Sequence, residues 1–239
     1  MATSYGTNAE RTAELAIELR KSMRAGSNFE QIQQYIEWCN KDTDFMLDLV
    51  EVMLDRYGWD AGRARRLDGL LIAANSAYRV RATDTSSAGL EERVAPGVKE
   101  LVREAVDAAG GSAGDHLVNA WNAAYGRKPD AVKAYSEAIK AAEAALAPRV
   151  APQNARQTLG TMIRDVSAKP AKWSFTLDDG SGGGVAAILQ MMRTLWEGQT
   201  SRHGGLNPTR AETPDEARAA VHLATGLVQF GASGAFDLV

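Results

Sequence analysis

The side chains able to do chemistry in this chain are few. Three His and a single Cys (Cys39) stand among 27 Lys and Arg and 30 Asp and Glu. The densest polar segment is Gln199-Thr200-Ser201-Arg202-His203-Gly204-Gly205-Leu206-Asn207. An imidazole such as His203 moves protons near neutral pH. A guanidinium beside it, Arg202, can fork onto a phosphate and stabilise developing negative charge. The glycines let a backbone or ligand come close, and Gln199, Ser201 and Asn207 would then contact the substrate. A structural alternative uses the same residues. Arg202 and His203 would meet the last carbonyls of the preceding helix while the glycines turn the chain. Spacing leaves both open.

Other candidates are thinner. His116 follows Asp115 near a helix start and reads as an ordinary first-turn residue; His222 reads as a partly buried, hydrogen-bonded residue. The three His are far apart and no zinc, Walker, redox or nucleophile-elbow motif is present, so no cofactor is expected and any catalysis would be metal-free. Gly180-Ser181-Gly182-Gly183-Gly184 precedes a helix but lacks the Lys-Ser/Thr of a phosphate loop, which makes it a connector. Residues 56–81 hold Arg56, Arg63, Arg65, Arg66, Arg79 and Arg81 against Asp60 and Asp68. Arg63, Arg65 and Arg66 could bind a phosphate backbone or an acidic partner; a solvated face with local ion pairs is the alternative. Trp173 and Trp196 are either base-stacking platforms or anchors.

The rest of the composition narrows the class. The 239 residues carry a net charge of −3 and 45% apolar residues, enough for one large or two small cores. One Cys excludes an intramolecular disulfide framework. No apolar run approaches a membrane span, and the amino terminus lacks the pattern of a signal peptide, so a soluble, reducing, cytoplasmic setting is expected, with no membrane partner.

Helical spacing must position these groups. It predicts helices over 8–25, over a segment N-capped by Asn28 with Phe29, Ile32, Ile36 and Cys39 packed, from Asp44 to Gly58 through Phe45, Leu49 and Met53, and from Asp60 to about Ala77. Tyr78-Arg79-Val80-Arg81 alternates as a half-buried strand and pairs with Leu90–Val94, closed by Pro96, in a short hairpin at about 78–94. Further helices are expected over 98–109, 113–125, 130–148 (ended by Pro148), 153–166 and 185–199. The last opens on the capping box Thr213-Pro214-Asp215-Glu216. Eight of the 17 residues from 131 to 147 are Ala, which lets neighbouring helices approach. Trp173–Leu177 suggests a brief strand. The expected fold is mainly α: a small N-terminal helical domain (1–90) and a C-terminal antiparallel helical bundle (91–239).

Four blocks in the C-terminal half carry a resemblance: KAYSEAIKAAEAAL, NARQTLGTMI, MMRTLWEGQTSRHGG and EARAAVHLATGLVQF. In this order they resemble the carboxyl-terminal domain of abortive-infection family proteins, within the HEPN-like helical superfamily, over roughly residues 115–233. The resemblance implies an antiparallel helical bundle, commonly a homodimer, associated with phage defence or toxin-like systems. It also implies a metal-independent endoribonuclease in which an Arg contacts the phosphate and a His, four to six residues away, does acid–base work. His203 matches that His. The Arg departs: Arg193 lies nine intervening residues upstream, Arg202 is adjacent, and Trp196, Glu197 and Gly198 stand where it is expected. Either Arg202 or Arg193 substitutes by geometry, or the fold persists without the chemistry. In the second case the protein is a non-catalytic helical module that dimerises and binds a host or phage protein.

Overall fold

The structure, a computed structural model, describes residues 8–57, 60–81, 88–154, 156–178, 180–202 and 209–239. Those residues form ten α-helices and two small antiparallel strand pairs, a mainly α fold with a hairpin. They divide into two compact units, residues 1–93 and 94–239, and each has its own core. A boundary at 90/91 would cut a strand in two; the division falls after Arg93.

In the first unit, α1 (Asn8–Glu18) stops well before residue 25, because Arg20 takes a left-handed conformation (φ 53°) and Lys21 N–H closes on the Ala16 carbonyl at 2.8 Å. The cap of α2 (Asn28–Lys41) is Ser27, not Asn28, through a reciprocal capping box with Glu30. Its packed residues also differ from the expected stripe: Gln31 and Tyr35 are buried, whereas Phe29 is 70% exposed and Ile32 and Ile36 about half so. Tyr35 wins because its ring meets Trp38 and Phe45 and its hydroxyl donates to the Thr12 carbonyl at 2.7 Å.

Helix α3 (Thr43–Tyr57) is apolar on two sides. Phe45, Leu49 and Val52 join the core of α1 and α2, while Leu47, Val50 and Leu54 join a second one with α4 (Ala61–Ala73) and the hairpin. Asp60 caps α4 by accepting from the Gly62 and Arg63 N–H groups, each at 2.9 Å. Strands β1 (Tyr78–Arg81) and β2 (Gly89–Glu92) pair with Val80 opposite Leu90. Pro96 does not close β2; it sits in the first turn of α5 (Pro96–Ala109).

The second unit is built around α7 (Ala131–Val150), packed between α6 (Gly111–Tyr125) and α10 (Pro214–Ser233), with α5 against both of those partners. Ala134, Ala138, Ala141 and Ala142 are buried there, so the backbones approach closely. At Gly231 a methyl would lie 3.0 Å from the Ala145 carbonyl oxygen. Pro148 does not end α7, which runs on to Val150. By contrast α8 (Leu159–Ala168) begins later than expected, after turns at 151–154, with Thr158 as its cap. Helix α9 (Gly183–Glu197) opens on the glycine cluster, held by the Asp178 carboxylate, which accepts from the N–H groups of Gly180, Gly182 and Gly184. Strand β3 (Trp173–Phe175) pairs with the chain end, β4 (Phe236–Leu238), and Trp173 stacks on Phe236 with ring centroids 5.2 Å apart.

Candidate functional site

The carboxyl end of α9 delivers Arg202 onto the face of Trp196, its guanidinium carbon 3.4 Å from the ring centroid. Such a stack is favourable because the cation meets the electron-rich ring face, more so where water is excluded. Burial pushes the guanidinium pKa down, with Tyr135 and Glu143 nearby opposing that shift; a guanidinium remains a cation all the same. Its Nε and Nη1 are covered, yet neither has a hydrogen-bond acceptor among the described residues. Covered donors without acceptors cost stability.

The surroundings hold this arginine in place. Trp196 rests on Gly160, where a methyl would come within 2.7 Å of the indole. Ser201 N–H donates to Glu212 Oε1 at 2.8 Å, fixing the residue before Arg202. Glu212 is only 4% exposed, and its Oε2 lacks a partner among the described residues. Burial works to raise that carboxyl, but the Ser201 and Thr200 hydrogen bonds outweigh it and hold the group below its usual range. Tyr135 is buried against Gly198, and its phenol is pushed up by burial and by the Glu212 and Glu216 charges, against Arg202. Glu143 accepts from Leu159 N–H at 2.6 Å, at the start of α8. Its burial raises the carboxyl against the pull of that N–H and of Arg202, Lys140 and His116.

The expected site residues are distributed unevenly. Arg202 and Ser201 fall in this cluster, with Gln199 in the same segment; His203 and Asn207 lie outside the described residues. Arg193 is not brought to it: its Nη2 donates to Ser167 Oγ at 3.0 Å. Arg63, Arg65 and Arg66 are exposed on α4 in the other unit, Arg63 beside Asp60 at 3.3 Å. Of the remaining arginines in that stretch, Arg56 pairs with Glu14 and Glu18, and Arg79 with the buried Glu91. Local ion pairing therefore takes up part of the charge excess seen in the sequence.

Two histidines have partners that no local spacing announces. His222 Nε2 lies 2.7 Å from the Tyr125 hydroxyl, its ring edge-on to Tyr125 and Trp121, and burial pushes its pKa down. His116 meets Glu137 across α6 and α7 at 2.7 Å, so it is not an ordinary first-turn residue. Among the described residues no group of three or more His, Cys, Asp or Glu assembles as metal ligands, and no helix is long and apolar enough to cross a membrane. Compared with protein-family models, curated proteins and solved structures, the chain matches none.

Proposed function

We propose that the protein is a cytoplasmic factor of phage–host conflict that binds single-stranded RNA through its C-terminal unit, as a homodimer, and cleaves it without metal. The observation that carries the reading is Arg202, stacked on Trp196 with two covered N–H donors that have no acceptor among the described residues. A phosphate oxygen pair suits a planar fork of this kind. The abortive-infection blocks of the sequence point to the same segment, and His203 follows Arg202 directly in it.

The test is direct. In EDTA, the purified chain is expected to bind and cut a labelled single-stranded RNA. Arg202→Ala lowers affinity by roughly tenfold or more, the loss of one charge-assisted phosphate contact. Arg193→Ala, whose side chain is tied to Ser167, leaves affinity unchanged. RNA that is neither bound nor cut removes the reading.

A second reading has its own observation. In the N-terminal unit an open, mostly apolar groove of about 470 Å³ is lined by Leu15, Ile32, Tyr35, Ile36 and Met53, with Phe29 and Ile17 exposed on the same helices. Such a surface suits a helical module that binds a host or phage protein. Ile36→Asp would then abolish recovery of a defined protein partner, and Arg63→Glu with Arg65→Glu and Arg66→Glu would weaken it. Recovery unaffected by both removes that reading.

A further inference from the structure

His116 is held as a general base is held. Its Nδ1 lies 2.7 Å from Glu137 Oε2, and the other oxygen of that carboxylate accepts from Lys140 Nζ at 2.8 Å. The Glu137 side chain is 12% exposed while the imidazole is 31% exposed. Burial works to raise the Glu137 carboxyl, yet the hydrogen bonds from Lys140 and His116 outweigh it and keep the group below its usual range. An ionised carboxylate on Nδ1 fixes the proton there and leaves the lone pair on Nε2. Glu137, Lys140 and Glu143 follow at intervals of three along α7, so each neighbours the next in a line that winds about a third of the way round the helix. Glu143 senses Arg202 as well as Lys140 and His116. A strip of α7 therefore runs from His116 of α6 to Arg202 after α9, with Lys140 exposed upon it.

We infer that His116, positioned by Glu137, is the proton acceptor for cleavage of an RNA strand laid along this strip. The inference rests on the RNA reading of Arg202. Lys140, sharing Glu137 with His116, faces the scissile phosphate, and Arg202 holds a neighbouring one. His116 Nε2 takes the proton of the ribose 2′-hydroxyl, and the 2′-oxygen bonds to phosphorus as the bond from phosphorus to the 5′-oxygen breaks. The leaving oxygen takes a proton from water, and the hydroxide so formed is neutralised when the imidazolium returns its proton. The products are a 2′,3′-cyclic phosphate and a 5′-hydroxyl end.

The experiment uses the full chain, EDTA and a labelled single-stranded RNA, with binding read by anisotropy and cleavage by gel. His116→Asn keeps an N–H for Glu137 and removes the Nε2 acceptor, so it preserves the fold contact. Cleavage is expected to fall roughly 100-fold or more, the usual worth of a general base, with the RNA Kd changed less than about threefold. Added imidazole restores cleavage to His116→Ala, and Glu137→Gln lowers kcat by about tenfold with KM unchanged. His116→Asn cutting at the wild-type rate overturns the inference, as does a His116→Ala enzyme that imidazole does not rescue. Wild-type protein that binds RNA without cutting it, or whose cleavage depends on His203 alone, overturns it while the Arg202 reading stands. RNA that is not bound at all removes both.

Discussion

Arg202 is a cation whose Nε and Nη1 are covered but find no acceptor among the described residues. Its stack on Trp196 fixes the plane of the fork, and the Glu212 contact to Ser201 fixes the backbone leading into it. Glu212 is the residue on which that positioning depends. Glu212→Ala removes the acceptor of the half-buried Ser201 N–H and is expected to destabilise the C-terminal unit by about 1 kcal/mol, read as a lower urea midpoint at constant slope; an unchanged midpoint contradicts the assignment. The arginine–histidine segment was legible from residue types alone, because Arg, His and paired glycines after a helix are a dense polar feature. The His116–Glu137 pair was not. Its members are separated by 21 positions and meet only because α6 packs on α7. Glu143 was illegible for the same reason: its meaning comes from the start of α8, which closes on it from a different helix.

Among the elements, capping chemistry and close approach decide where helices begin and how they cross. Thr213 and Glu216 cap α10 reciprocally, and Arg210 pairs with Glu216 through Nη1 at 2.7 Å. Those bonds hold the Glu216 carboxyl down to about 2 from 4.5. A depressed acid contributes stability above its unfolded pKa, and that contribution is lost as pH falls towards the folded one. The wild type should therefore lose more stability than Glu216→Gln between pH 4.5 and 2; equal losses across acid melting curves contradict this. Salt at high concentration should narrow the difference, since the pair is exposed.

A second expectation concerns the crossing of α8 and α9, where Gly160 faces Trp196. Gly160→Val should displace the indole, lower the melting temperature and weaken RNA binding together, whereas Gly69→Ala, open on α4, should do neither. The α10 cap was readable in sequence because Thr, Pro, Asp and Glu occupy consecutive positions. The α2 face was not, because Phe29, Ile32 and Ile36 keep helical spacing yet Tyr35 has the better partners.

At the scale of the whole molecule, the −3 net charge conceals an uneven use of charge. In the N-terminal unit Arg56 and Arg79 are paired with carboxylates of the same unit, whereas Nε and Nη1 of Arg202 in the C-terminal unit have no acceptor among the described residues. Each unit has a core of its own, so residues 94–239 are expected to fold without residues 1–93 and to unfold cooperatively in calorimetry; a non-cooperative fragment contradicts that. Mainly helical class, the hairpin and the Ala-rich centre were all legible, since periodicity reports burial on one face. The pairing of β3 with the chain end was not, because 63 residues separate Ser174 from Asp237.

RNA binding by the C-terminal unit requires that Arg202 grip a phosphate. The measurement is the Kd of a labelled single-stranded RNA for the wild type and Arg202→Gln, in EDTA, between 50 and 200 mM salt. Loss of one phosphate contact should weaken binding about tenfold at the lower salt and flatten the log Kd against log salt slope by about 0.7. Arg202→Lys should recover the slope but not the full affinity, since an ammonium lacks the planar fork. Identical affinities and slopes for wild type and Arg202→Gln would contradict it.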